Sequence, residues 1–568
     1  MRSQGMRMKD RLVDQAKKLT SSGVVVRVVS NDRVMRLATG VMDAKNRLRA
    51  ARERAAEAWD ILLNGHALPN IDPALDDEAG VHVATPSRAA ARQPAAGGAG
   101  GAGLSVVEET ASSDAPRERT AERAAARTHV NGVGANGAGA NGAGTYVAAA
   151  AEQQLATQMA ARTSLSRIGG RDVFEKAYKF MTADNARAMG VYPFFRPLDF
   201  NNGPEAQLEG RTVIMLGSNN YLGLTTHPKV REAARNAIDK YGTSMTGSRL
   251  VNGSMRLHNE LEQKLAAFHG KEAGLVFTTG YQVNIATISA LLSNKRSVAM
   301  IDKDDHASIY DGVRLAQAAG ARMVRYKHSD PAALDSALSE IADTEGALVI
   351  TDGVFSAQGE IASLPGIVEV VKKHKARLLV DDAHALGVIG PGGRGTAAHF
   401  GLEKEVDLIG GTFSKSLASI GGWLVGERKV LDYIQHFAYS FLFAASAAPP
   451  CVAAAMASLE VMQEEPWRQE KLRENFTYMR TELQRLGFEL GKTETAVIPI
   501  YIRDDLKTVM MWKSLLDDYS LYVNPFITPG VPPKQQVLRT SYMATHERKH
   551  LDHALEAFEK VGKKFGVI

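Results

Sequence analysis

The sequence predicts an α/β fold: a large domain with a mainly parallel sheet, then a smaller α+β domain, the pair preceded by a helical segment and a disordered linker. Three observations predict it. Short apolar runs alternate with helical patterns between residues 212 and 425. Polar and glycine-rich clusters follow those runs, where the carboxyl ends of parallel strands would present them to a ligand. The texture also changes abruptly near residues 67 and 151 and again after Pro466.

A chain of 568 residues can hold two to four domains and bury a large core. The net charge is +5 and the pI about 9.0, but the basic residues are dispersed among nearly as many acids. Nucleic-acid binding would call for a clustered basic face, so that class is set aside. The single cysteine, Cys451, excludes an intrachain disulfide and any multi-cysteine metal site, and it fits a reducing, cytoplasmic setting. No apolar core followed by a small-residue cleavage site opens the chain, so no secretory signal is expected. The longest apolar stretch, Phe441 to Met456, contains Pro449 and Pro450 and is too short for a membrane span; a buried turn and helix is expected there.

Residues 1–66 place Val34, Leu37, Val41, Leu48 and Ala55 near helical spacing amid arginines and lysines. Such a basic helix suits acidic lipid headgroups or a partner, and a small helical hairpin fits the same pattern. Residues 67–150 are rich in Ala, Gly, Asn and Ser and hold too few large apolar side chains to offset ordering entropy, which predicts a disordered linker. Residues 151–215 read as an arm, with helices over Ala151–Arg162 and Asp172–Ala188 and a strand over Thr212–Leu216. In the large domain, 216–455, strands are expected at Leu275–Thr278, Val298–Ile301, Met323–Tyr326, Ala347–Thr351, Leu378–Asp381, Val406–Ile409 and Trp423–Val425. The small domain, 456–568, should hold a helix over Arg468–Leu486, a strand over Val497–Ile502, a helix near Leu506–Asp518, strands at Tyr522–Pro525 and Val537–Ser541, and a closing helix.

Two stretches carry the chemistry. Lys415 lies in Gly410-Gly411-Thr412-Phe413-Ser414-Lys415-Ser416, where small residues let backbone and hydroxyls approach a ligand. A lysine kept partly unprotonated can capture a carbonyl cofactor as an imine. Asp381 and His384 close the apolar run Arg377-Leu378-Leu379-Val380. Pyridoxal 5'-phosphate needs both an imine lysine and an acid for its ring nitrogen, so the pair points to that cofactor. Gly280-Tyr281 sits between a strand and a helix, a position that offers amide groups to a phosphate. His306 also follows a strand and could stack on a cofactor or cap a helix.

Two further motifs are weighed against bland readings. His546-Glu547-Arg548-Lys549-His550 fits a zinc pattern, but it lies at the start of a charged helix with the histidines off the apolar stripe of Leu551, Leu555 and Phe558, which argues against a metal site. Gly390-Pro391-Gly392-Gly393-Arg394-Gly395 fits a dinucleotide pattern, yet it holds a proline and no helix is expected to open from it.

Joined in order, these pieces resemble the α-oxoamine synthase family of fold-type I pyridoxal phosphate enzymes. The resembling stretches are Gly217–Gly223, Gly247–Gly253, His258–Glu262, Asp381–His384, Gly411–Lys415 and Asn524-Pro525 through Arg539 to His546, within about two-thirds of the chain. The resemblance implies that Lys415 carries the cofactor and takes the Cα proton, Asp381 pairs with the ring nitrogen, His384 bonds the ring oxygen and His306 stacks on the ring. It also implies phosphate contacts from Gly280, Tyr281, Thr412 and Ser414, a ring contact from Ser356, a carboxylate grip by Arg539 and substrate contacts from Asn219 and Tyr221. Family members often carry Ser or Thr after the aromatic near Phe443, reaching the partner's phosphate; this chain has Ala444, leaving backbone or Ser446 for that contact. The implied reaction joins an amino acid to an acyl thioester with loss of carbon dioxide. Tyr192–Phe195 and Asn524–Pro533 resemble the branch that uses serine and a long-chain acyl group to make 3-ketodihydrosphingosine. Siblings that use glycine or alanine remain alternatives, as does a noncatalytic regulatory subunit, against which Lys415 argues. A homodimer is implied, and a lipid product implies peripheral contact with the inner face of the cell membrane.

Overall fold

The computed structural model describes residues 171–568. The expected helical segment 1–66, linker 67–150 and helix Ala151–Arg162 lie outside the described residues. The arm contributes β1 (Phe200–Asn201), β2 (Glu205–Leu208) and β3 (Arg211–Met215). The large sheet contains β4 (Ala273–Phe277), β5 (Ser297–Asp302), β6 (Arg322–Tyr326), β7 (Gly346–Asp352), β8 (Arg377–Asp381), β9 (Leu408–Thr412) and β10 (Gly422–Gly426). The C-terminal region adds β11 (Val497–Tyr501), β12 (Leu521–Tyr522), β13 (Asn524–Phe526) and β14 (Val537–Ser541).

The seven-stranded sheet runs β4-β10-β9-β8-β7-β5-β6, and only β10 lies antiparallel to its neighbours. Both faces are covered, so side chains alternate between two cores. Val298, Met300, Val349, Leu378 and Val380 join one cluster, whereas Ala299, Ile301, Leu348, Ile350 and Leu379 join the other. Helices Gly280–Leu291 and Ala307–Ala318 cross between strands, the first capped by Thr279, whose side chain accepts the Gln282 amide. The stretch expected as a buried turn and helix forms helices Tyr439–Leu442 and Pro449–Glu464, with proline at the first turn of the second, where a missing N–H costs nothing.

The arm is built into the C-terminal layer. β3 pairs in parallel with β12, giving a four-stranded sheet β1-β2-β3-β12. The Ser541 amide donates to the Leu216 carbonyl at 2.7 Å and the Ala544 amide to the Tyr221 carbonyl at 2.7 Å, tying the segment after β3 to the strand that carries Arg539.

Four expectations are corrected. Asp172–Ala188 is two short helices, Glu175–Tyr178 and Thr182–Ala188; neither buries a residue, so no packed face holds one continuous helix. The strand expected at Val406–Ile409 runs instead from Leu408 to Thr412. Its glycines belong in the strand because a Cβ at Gly411 would lie 2.9 Å from the Trp423 ring. His546 and His550 are buried: each Nδ1 accepts a backbone amide, from Met543 and Glu547, and that of His550 caps the start of helix Arg548–Lys564. After Gly390 the chain does open short helical turns, Pro391–Gly393 and Thr396–His399, because Asp382 accepts the Thr396 amide at 2.9 Å.

Candidate active site

Asp381 ends β8, Thr412 ends β9, and Asp352 ends β7, so the sheet delivers polar groups to one edge. Ser414 and Lys415 follow β9, His384 follows β8, Ser356 follows β7, and His306 opens the helix after β5. A cavity of about 430 Å³ brings together Gly280, Tyr281, His306, Ser356, Asp381, His384, Thr412, Ser414 and Lys415. Nine of the twelve residues singled out from sequence therefore line one cavity. Arg539, Asn219 and Tyr221 do not line it; they form an adjoining polar cluster.

Lys415 keeps partial solvent access because the cavity opens beside it, yet its amine is ringed by protein. Burial lowers its pKa to about 8; Asp381 and Asp352 pull it up and Arg539 pushes it down. A lysine so placed is neutral in a useful fraction of molecules near neutrality.

The Asp381 carboxylate is buried, with Oδ1 accepting the Ala383 amide at 2.9 Å and Oδ2 accepting Asn284 Nδ2 at 2.6 Å. His384 is buried too, and the Tyr221 hydroxyl lies 2.6 Å from its Nδ1. Burial holds this imidazole well below its ordinary pKa, helped by the charges of Lys415 and Arg539. Burial likewise raises the Tyr221 phenol to about 12, against the pull of Arg539, so the phenol is the donor. Nδ1 then accepts, and the ring proton sits on Nε2. His306 is also depressed by burial, against the pull of Asp381. It caps the helix Ala307–Ala318 and also lines the cavity.

The residues fit a pyridoxal phosphate. Helix Gly280–Leu291 points its amino end at the cavity, and Gly280 touches Thr412 so closely that a Cβ there would lie 2.6 Å from the threonine Cβ. Thr412 Oγ1 is 2.8 Å from Ser414 Oγ and donates to the Gly421 carbonyl at 3.1 Å, which gathers two hydroxyls beside that helix end. An acid at the cavity floor and a depressed lysine complete the donor set a pyridinium aldehyde requires.

Beside the cavity, Arg539 donates from Nε to the Ser356 carbonyl at 2.7 Å and from Nη2 to Asn219 Oδ1 at 3.0 Å. Its guanidinium carbon sits 5.7 Å from the centre of the Phe526 ring. Phe526 in turn lines an apolar groove of about 490 Å³ between the arm and the C-terminal layer, with Phe180, Ala186, Val191, Val509 and Ile527 among its walls. Sequence reasoning missed this groove, because its walls come from segments more than 300 residues apart. It also missed Asn284, whose signal was its place one turn after Gly280 on the same helix. The segment around Ala444 is pinned by Thr278 Oγ1 on the Ala445 carbonyl at 2.6 Å, while the Ser446 amide donates to the Gly247 carbonyl at 2.9 Å.

Comparison with known proteins agrees with this geometry. Residues 211–558 match the family model for aminotransferase class I and II. The chain is 43% identical over 390 residues to the serine palmitoyltransferase of Sphingobacterium spiritivorum, covering 69% of this chain and 96% of that one. It is 39% identical over 386 residues to the 8-amino-7-oxononanoate synthase of Thermoanaerobacter pseudethanolicus, covering 68% and 96%. Among solved structures it resembles a serine palmitoyltransferase with a pyridoxal phosphate internal aldimine, with TM-score 0.67 and 35% identity over 70% of this chain and all of that one. The chain thus belongs to the aminotransferase class I and II family of fold-type I pyridoxal phosphate enzymes, in its α-oxoamine synthase branch.

Proposed function

We propose that this chain is a serine palmitoyltransferase. It forms a carbon–carbon bond between the Cα of L-serine and the acyl carbon of palmitoyl-CoA, releasing carbon dioxide and the free thiol and giving 3-ketodihydrosphingosine. The observation that carries this reading is the convergence of Lys415, Asp381 and His384 in one cavity with Arg539 beside it. Pyridoxal phosphate, when bound, supplies an aldehyde that captures an amine and a ring that accepts the electron pair left at Cα.

The protein's own groups do the rest. Lys415 would hold the cofactor, and its amine would be the base that takes the Cα proton. Asp381 would keep a proton on the ring nitrogen, and His384 would offer its Nε2 proton to the ring oxygen. The helix end at Gly280, with Thr412 and Ser414, would hold the phosphate, and His306 would lie against the ring. Arg539 binds the serine carboxylate, its guanidinium already oriented by Ser356 and Asn219.

The groove beyond Phe526 supports a long acyl chain over the short acyl groups of sibling enzymes. Phe526, whose ring centre lies 5.7 Å from the Arg539 guanidinium carbon, also lines this groove, so the carboxylate grip and the apolar wall adjoin. A homodimer is part of the same proposal. Tyr281 and Ile420 line the cavity yet are 41% and 61% exposed, and Tyr439 and Phe443 are exposed as well, an apolar rim that a second copy would cover. Peripheral contact with a lipid surface is supported by Phe174 and Tyr178 on the arm, which are exposed in one short segment with Lys176 and Lys179. Among the described residues no helix is long and apolar enough to cross a membrane. The reaction is tested by offering the purified holoenzyme a panel of amino acids and acyl-CoAs of graded length and identifying products by mass spectrometry. Serine with palmitoyl-CoA should be the preferred pair; exclusive use of glycine or alanine rejects the serine assignment.

A further inference from the structure

We propose that Asn284 is a positioning residue for the reaction. Through a buried hydrogen-bonded chain it holds Asp381 as an ionised acceptor and His306 as the tautomer bare at Nδ1. The inference rests on the pairing of Asp381 with the cofactor ring proposed above.

The chain runs across three elements. Asn284, on helix Gly280–Leu291, is 2% exposed, and its Nδ2 donates to Asp381 Oδ2 at 2.6 Å and to Ser308 Oγ at 2.8 Å. A side-chain amide has two N–H groups, and here each has its own acceptor. Because Ser308 Oγ accepts from Asn284, its hydroxyl proton is free for His306 Nδ1, 2.8 Å away. The Ser308 amide points at the same ring nitrogen at 3.3 Å. With donors on Nδ1, the His306 proton belongs on Nε2.

The amide orientation comes at a cost. Asn284 Oδ1 is buried without a hydrogen-bond partner. Turning the amide over would place that oxygen against Asp381, which only a protonated aspartate could accommodate. The observed orientation therefore suits an ionised Asp381 and opposes its protonation. This role differs from packing, since it depends on which group at position 284 donates a hydrogen.

Charge substitution turns that difference into opposite pH slopes. In Asn284→Ala, Asp381 Oδ2 loses a donor that only an unprotonated oxygen accepts, and ring pairing weakens as the pH falls. In Asn284→Asp, two carboxyl groups share one proton. The protonated neighbour donates as the amide did at low pH, and two adjacent anions form as the pH rises. The other charged or titratable groups facing Asp381 are Lys415 after β9, His306 after β5, Asp352 at the end of β7, and its neighbours Asp382 and His384. All are unchanged in both variants.

The readout is the dissociation constant for pyridoxal phosphate, measured by absorbance on wild-type and variant proteins from acid to alkaline pH and expressed as a ratio to wild type at each pH. Asn284→Ala should lose about tenfold or more in affinity at the acid end, the worth of a hydrogen bond to a charged group, and recover toward alkali. Asn284→Asp should show the reverse slope, so either variant alone decides if the other fails to fold. A pH-flat ratio in a folded variant overturns the inference. Asp381→Ala is measured in parallel: if it binds the cofactor as tightly as wild type, the underlying ring-pairing reading fails instead.

Discussion

The lowered pKa of Lys415 makes a quantitative prediction about cofactor capture. Burial depresses the amine from 10.5 to about 8, and the nearby carboxylates of Asp381 and Asp352 keep it from going lower. At pH 7 an amine of pKa 8 is about 10% neutral, whereas one at 10.5 is about 0.03% neutral, a ratio of about 300. Only the neutral amine attacks an aldehyde. The cofactor-free protein, mixed with pyridoxal phosphate in a stopped-flow spectrometer, should show a covalent-adduct band whose rate rises about tenfold per pH unit, bends near pH 8 and then levels. Asp381→Asn removes an anion that raises the lysine pKa, so the bend should move to lower pH. A rate that keeps climbing toward pH 10 without a bend, or a bend that moves up in Asp381→Asn, would refute the electrostatic account of the site.

Two further outcomes follow from the packing. Gly280→Ala places a Cβ 2.6 Å from Thr412 Cβ and 2.8 Å from its Oγ1, against a β-branched residue whose hydroxyl is already bonded on two sides. Relief requires moving β9 or the helix end, so stability should drop by about 1–3 kcal/mol with a weaker cofactor complex, measured by thermal melts and absorbance titration. Ala186→Phe fills the apolar groove at a half-buried position. It should raise the KM for palmitoyl-CoA while sparing octanoyl-CoA, because each methylene displaced from the groove forfeits up to about 0.8 kcal/mol; an equal loss for both chain lengths would separate the groove from the acyl chain.

Much of the site was legible because chemistry and strand ends coincide in the sequence. Asp381 closes β8 after an apolar run, and the C-terminal boundary of that run marks where the side chain emerges. His306 and Gly280 follow strands in the same way. Glycines misled where they stand in for packing: Gly410 and Gly411 read as a loop, yet Val283 crowds the space a side chain at 410 would need and the Trp423 ring fills that at 411, and β9 passes through them. The histidines at 546 and 550 stand off the apolar stripe yet are buried, because a helical pattern does not reveal that a buried ring can use Nδ1 to accept a nearby backbone amide. Helical periodicity over 172–188 overstated the arm, where no partner surface holds the face together. The groove and the pairing of β3 with β12 rest on contacts between distant segments, which no local pattern encodes.

The central claim is that Lys415 is both the cofactor's anchor and the base for decarboxylative condensation. The most direct measurement is mass spectrometry of products from L-serine and palmitoyl-CoA, run with wild-type protein and with Lys415→Ala, each supplied with pyridoxal phosphate. Wild type should form 3-ketodihydrosphingosine with stoichiometric carbon dioxide, and Lys415→Ala should form none. Equal turnover by the two proteins would contradict the account.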